Sequence, residues 1–424
     1  MFHTRVTRNA AHYEVPKARA PIEKLPPEIR LLVFANLGLD SLKSLVRASL
    51  IFHEQYSSDR IYILRKCLQN TLGVIGIDAC AAYRAGTESF ARTRNEVQIE
   101  NFLDTYMKRL FSGNPNFTGD LTNDEILDFV KIHFSTTRPL LIHFTEWALA
   151  NLANADSKTQ ISTKKFCRLL LSRSEELRIL RGLYRFQLFC NLFGCGPHII
   201  EPPFIDFHFG EIFNIFFHKF EPWETEEVGC IYIFAEQKFD QIFKTLPADT
   251  HWVVVVFHER LNEPLKYCRL GLLDATISRG LELLSTVLRT QDKNKDLLIS
   301  TMQRYISEDC GYFHTAASGA DAQTPRWEHF PSDRDDKQRR LDPLPFDKDD
   351  DEPDVNNPHP PLAWTLMWKG TYSVLCGGFL PDEFRECSYV MWDADRINYY
   401  GGKAIFERYL EERYEDWDER DILA

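Results

Sequence analysis

The chain lacks any long apolar run. Its best candidate, "WVVVVF" at 252–257, is far too short to cross a bilayer. Paired Cys-x-x-Cys spacing is absent as well. Ten cysteines are scattered singly from Cys67 to Cys387, a pattern that predicts free, mostly buried thiols in a reducing compartment. The lone Asn116-Phe117-Thr118 sequon then reads as chance. Basic charge is in deficit, with 50 Lys and Arg against 62 Asp and Glu and a net charge of −12. That argues against bulk nucleic-acid binding, which needs a basic face to displace counterions. No HExxH, GxSxG, P-loop or GxGxxG occurs, so no catalytic residue is named and no cofactor is expected. The first twenty residues hold no apolar signal core. They are Arg-rich, but their apolar residues form no amphipathic face, which argues against a mitochondrial leader. The expected location is cytoplasmic or nuclear, with no membrane partner.

Alternation with a period of two is nearly missing too. Only "HWVVVVFHE", 251–259, reads as a strand, and it has no visible partner. What the sequence has instead is helical spacing over much of its 424 residues, with 13% aromatic residues and 31 Phe to fill helix-packing layers. Thr93-x-x-Glu96 reads as a capping box before Ile99, Phe102, Leu103, Tyr106, Met107 and Leu110, a single stripe. Thr122-x-x-Glu125 repeats the device before Ile126, Phe129 and Val130, and Pro139 separates that helix from the next. Ser172-x-x-Glu175 opens a helix running to about Phe193 and ended by Gly194. That helix is apolar on more than one face, which predicts a central, buried position.

Residues 332–354, "SDRDDKQRRLDPLPFDKDDDEPD", break the pattern with ten acids, five bases and three prolines. They predict a disordered loop or linker. Order resumes with Trp364, Trp368 and Trp392, side chains costly to leave in water. The C-terminal segment is therefore expected to dock on the helical body.

Two short constellations carry ligand chemistry. Cys190-x4-Cys195-x2-His198 has zinc-ligand types, but Cys190 falls on an apolar helical stripe and no fourth ligand is evident beyond His208. A packed thiol is the better reading. Asp393-Ala394-Asp395 has the DxD form of some metal-dependent glycosyltransferases, which need an α/β sheet that the pattern does not supply. No metal site is expected.

The stretch "IEKLPPEIRLLVFANLGLDSLKSLVRASLIFHEQY", 22–56, is the most informative. Pro27 suits the first helical position and Glu28 the positive helix end. Ile29, Leu32, Val33 and Leu37 form one stripe, Gly38 ends the helix, and Asp40 caps a second one carrying Leu42, Leu45 and Val46. Phe52 and Tyr56 begin a third cluster. Three helices this short cannot bury all these faces among themselves, so the remaining apolar surface must meet something else.

Leu25-Pro26-x-Glu28-Ile29, followed by Val33, Leu37, Leu42, Leu45, Val46 and Phe52, resembles an F-box motif over about residues 22–64. It is similar in particular to the F-box-like N-termini of uncharacterised fungal proteins. The order and spacing of the three apolar clusters match. Arg47 comes earlier, and Phe52 later, than in many F-boxes. The resemblance implies a three-helix module that docks on a Skp-type adaptor of a cullin-based ubiquitin ligase, with the remainder of the chain selecting an unknown protein substrate. The implied adaptor-binding set is Leu25, Pro26, Ile29, Val33, Leu37, Leu42, Leu45 and Phe52.

The expected fold is all-α. A flexible arm (1–20) leads into the three-helix F-box-like module (21–70) and an irregular multi-helix body (71–316). An acidic, Pro-rich loop (317–361) then precedes a C-terminal helical segment (362–424). The expected function is that of a non-enzymatic adaptor, the substrate receptor of a Skp-cullin-F-box-type ligase. The alternatives are an orphan helical protein whose N-terminus is only structural, or an enzyme with an unrecognised site.

Overall fold

The computed structural model describes residues 20–112, 116–155, 171–195, 207, 209–245, 273–290, 294–305, 336–337, 339–343, 359–373, 375–377 and 380–413. The fold is all-α. Among the described residues there is no strand, only an isolated antiparallel bridge between Pro343 and Thr371. The possible strand at 251–259 lies outside them, as does the arm before residue 20. The chain divides into two units, Met1–Thr71 and Leu72–Ala424.

The first unit holds an opening 3₁₀ turn, Pro21–Lys24, then α1 (Pro27–Ala35), α2 (Leu39–Ala48), α3 (Leu50–Ser58) and α4 (Arg60–Leu72). The expected three helices are thus four, because Ile63, Leu64, Cys67 and Leu68 prolong the apolar spacing beyond the third cluster and are buried. Two boundaries also differ from expectation. α1 ends at Ala35, so Gly38 does not close it. Gly38 is extended (φ −80°, ψ 170°) and precedes the first residue of α2, with Asp40 inside that helix's first turn.

In the second unit the helices are α5 (Gly76–Ala85), α6 (Glu88–Thr93), α7 (Glu96–Leu110), α8 (Asn123–Ile132), α9 (Arg138–Asn154), α10 (Arg173–Phe193), α11 (Phe209–Ile215), α12 (Pro222–Thr245), α13 (Leu281–Thr290), α14 (Lys295–Tyr305), α15 (Leu362–Met367), α16 (Asp382–Glu386), α17 (Ala394–Tyr399) and α18 (Gly402–Arg413). The capping boxes at Thr122 and Ser172 both form. The one expected at Thr93 does not. Thr93 is the last residue of α6, its hydroxyl bonds Ser89 O at 3.1 Å, and α7 is capped by Asn95 Oδ1, which accepts from Gln98 N at 3.0 Å.

Pro139 does not separate two helices either. A π-helical turn, His133–Thr137, joins α8 to α9. In a regular helix Ser135 O would take the N–H of position 139, which proline lacks. Ser285 Oγ of α13 donates to that carbonyl at 3.3 Å instead.

α10 is central, and its buried residues point in every direction round the helix. It packs on α5 and α12. Gly182 permits the approach to α12, since a Cβ there would stand 3.0 Å from Glu227 O. Gly76 is tighter still, because a Cβ would lie 2.0 Å from the Phe117 ring.

Charge runs through this core. Arg185 Nε meets Asp78 Oδ1 at 2.7 Å and its Nη1 meets Glu224 Oε2 at 2.9 Å. Arg181 holds Glu224 at 2.8 Å and grips Glu227 at 2.7 and 2.6 Å. Tyr106 donates its hydroxyl to Asp78 Oδ1 at 2.5 Å.

The C-terminal helices carry the same chemistry onto α10 and α12. Arg178 pairs with Asp393 at 2.6 Å, Arg396 with Glu175 at 2.5 Å, and Arg385 with Glu226 at 2.8 Å. Trp364 and Trp392 are fully buried, and the Trp364 ring lies 6.0 Å from that of Trp223 on α12. Most of 332–354 lies outside the described residues. The part that is described departs from a disordered loop, since Tyr372 N donates to Asp342 O at 3.0 Å beside the Pro343–Thr371 bridge.

Six described cysteines, Cys67, Cys80, Cys190, Cys230, Cys376 and Cys387, are free and buried. Cys195 is disulfide-bonded, which corrects the expectation of thiols throughout. Spacing along the chain does not say which distant sulfur a fold will bring close.

Candidate docking surface

The first unit is organised around Phe34. Its ring meets that of Phe52 edge-on, with centroids 5.4 Å apart, and both side chains are fully buried. Leu39 and Leu42 of α2 are buried as well. The second half of α4 fastens the corner between α1 and α2. Cys67 Sγ donates to Phe34 O at 3.3 Å, Asn70 Nδ2 to Ala35 O at 2.8 Å and to Leu37 O at 3.0 Å, and Leu39 N donates to Thr71 Oγ1 at 2.8 Å. Burial pushes the Cys67 thiol up to about 12, so it is a packing group rather than a nucleophile.

Two further bonds tie α3 to the opening of α1. Ser49 Oγ donates to Glu23 Oε1 at 2.6 Å, and Gln55 Nε2 donates to Pro27 O at 2.7 Å. Ser49 also caps α3 by accepting from Phe52 N. The opening Leu25-Pro26 corner is therefore held from two points of α3.

This frame divides the eight residues implied by the motif. Leu42 and Phe52 belong to the interior. Leu25, Val33, Leu37 and Leu45 are half-buried, while Pro26 and Ile29 are exposed. Because α1 turns 100° per residue, Ile29 and Leu32 fall on the side away from Phe34. They are 43% and 58% exposed. Leu50, the first residue of α3, is 72% exposed, and Ile22 and Tyr62 are exposed too.

The implied set thus omitted Leu32 and Leu50. The usable signal was Phe34. The largest apolar side chain of a short helix takes the core side, which turns Ile29 and Leu32 outward.

The other two constellations resolve differently. Cys190 is buried on α10, and burial pushes its thiol up. Cys195 is spent in its disulfide, and His198 and His208 lie outside the described residues. Among the described residues no group of three His, Cys, Asp or Glu could hold a metal ion. Asp393 is buried and accepts from Ser174 Oγ at 2.7 Å, from Arg178 at 2.6 Å and from Ser172 Oγ. Asp395 is exposed, so the two DxD carboxylates do not share one setting.

Compared with known proteins, the chain matches no family model, no curated protein and no solved structure. Among the described residues no helix is long and apolar enough to cross a membrane.

Proposed function

We propose that residues 21–70 are a docking module and that the chain acts as a protein-interaction adaptor. The partner is a Skp-type adaptor, and the rest of the chain recruits a protein substrate for ubiquitin ligation in the cytoplasm or nucleus. One observation carries the reading. In the helix that follows the Leu25-Pro26-x-Glu28 motif, Ile29 and Leu32 face outward while Phe34 alone supplies the buried anchor. Apolar side chains left on the outside of a short helix favour a partner that covers them. The adaptor brings two proteins together, so its contribution to the reaction is proximity rather than chemistry of its own.

The exposed face also revises the contact set. Pro26, Ile29 and Leu32 lead it, joined by the half-buried Leu25, Val33, Leu37 and Leu45. Leu42 and Phe52 act by shaping the module.

The test is a titration of the full chain with a purified Skp-type adaptor by calorimetry. The wild-type chain should bind. Ile29→Asp together with Leu32→Asp should weaken binding by at least about a hundredfold, since two buried aliphatic contacts are each worth about 1.5–3 kcal/mol. Thermal unfolding of that variant should match wild type. A wild-type chain that does not bind the adaptor overturns the reading, and the N-terminal unit is then structural only.

A further inference from the structure

Glu23 of the opening turn ties three segments together. Its Oε1 accepts from Ser49 Oγ at 2.6 Å, its Oε2 accepts from Ala20 N at 2.9 Å, and its carbonyl accepts from Arg30 Nη1 at 3.5 Å. Ser49 is the joint between α2 and α3, so the turn Pro21–Lys24 lies against that corner. Ile22 and Leu50 stand one residue from the two ends of the Glu23–Ser49 bond, and both are exposed. Lys24 and Arg47 are exposed on the same two segments. They form no ion pair among the described residues. Arg30 adds a guanidinium whose buried Nε has no hydrogen-bond partner. The one carboxylate at the corner, that of Glu23, is already taken by Ser49 and Ala20. Two apolar side chains are thus set among three bases.

The two units also differ in the sign of their charge. Residues 1–71 hold 11 Lys and Arg against 6 Asp and Glu, whereas residues 72–424 hold 39 against 56. An acidic partner is therefore drawn to the first unit and repelled by the second. A basic rim round apolar side chains complements a protein face of the opposite pattern, an apolar groove edged by carboxylates. Leu50 and Ile22 favour such a face over a nucleic acid, whose phosphate backbone offers them no apolar groove.

We propose that this corner is a second contact of the docking module, made to an acidic face of its partner: Leu50 and Ile22 enter an apolar groove while Lys24, Arg30 and Arg47 meet carboxylates at its edge. The inference rests on the docking reading above, and it adds the charge of the partner's face and a second point of contact. Exposed rim charges act chiefly on association, so the bases guide the partner to this end of the chain. Leu50, an apolar side chain covered only in the complex, acts on dissociation.

The test is stopped-flow binding of the full chain to a purified Skp-type adaptor at about 0.05 M and about 0.5 M salt. Association of the wild-type chain should be about tenfold slower at the higher salt. At low salt Arg47→Glu should slow association about tenfold, while Lys108→Glu, an equal change of charge on α7 of the second unit, should leave it within about twofold. Leu50→Ala should speed dissociation about tenfold and leave association unchanged. All three side chains are exposed, so the variants should unfold at the wild-type temperature. Association that ignores salt, or that both charge reversals slow equally, overturns the inference and leaves the docking reading standing. Dissociation of Leu50→Ala at the wild-type rate does the same. A wild-type chain that does not bind the adaptor at either salt overturns both.

Discussion

Ile29 and Phe34 lie on opposite sides of the same nine-residue helix, one exposed and the other fully buried. Their truncations should separate binding from folding. Phe34→Ala leaves a cavity against Phe52 and should cost about 3–5 kcal/mol. Ile29→Ala should stay within about 0.5 kcal/mol of wild type, as surface changes do. Chemical denaturation of both variants checks this, and equal losses would mean that Ile29 is part of the core.

The pair between Arg178 and Asp393 should behave asymmetrically. Asp393 also accepts from Ser172 and Ser174, so Asp393→Ala takes a buried carboxylate away from the Arg178 guanidinium and an acceptor away from two hydroxyls. The expected cost is about 3–5 kcal/mol. Replacing both partners by apolar residues, Arg178→Met with Asp393→Leu, should recover part of it. A double variant as unstable as the single one would show that the site needs charge rather than volume.

Acid should attack the core at Glu224. Burial alone would raise its carboxyl, but Arg181 and Arg185 outweigh burial and hold it at about 2. A depressed carboxylate contributes stability that is present above its ordinary value of 4.5 and lost as pH falls from there toward about 2. Glu227 runs the other way. Burial raises it despite Arg181, so its contribution is lost as pH climbs above the usual carboxylate range. Denaturation measured across pH should show an acid limb that Glu224→Gln flattens. An unchanged acid limb in that variant would show that other carboxylates set it.

At the π turn, Ser285→Ala removes the donor to Ser135 O and should cost about 1 kcal/mol. In a Pro139→Ala background the restored N–H can serve the same carbonyl, so the Ser285→Ala cost should shrink. A double-mutant cycle measures the difference. Strictly additive costs would mean that Pro139 is not why Ser285 is used.

Local features were the legible ones. The all-α class, the boxes at Thr122 and Ser172, and the span and burial of the helix from Arg173 to Phe193 all depend on residues within a few positions of one another. Failures came where two local signals competed. Thr93 and Asn95 are both good caps, and the closing turn of α6 claimed Thr93. Pro139 looked like a break because proline removes one donor, while the replacement donor comes from Ser285, far along the chain. The buried charges were out of reach altogether. Nothing near Glu175 or Arg178 in sequence announces Arg396 or Asp393. In the candidate docking surface, core and surface positions of the motif separate only once Phe34 is known to point inward.

The distance between Arg178 and Asp393, 215 positions, also matters while the chain is being made. At about 5–20 residues per second, roughly 10–40 s pass between synthesis of one partner and of the other. For that interval α10 carries Arg178 and Glu175 without Asp393 and Arg396, which makes a dry interior costlier to form. A growing chain halted before residue 393 would hold its central helix in a wet, loosely gathered state and present Phe-rich faces to chaperones. The turn that brings Asp393 and Arg396 decides when α10 can close.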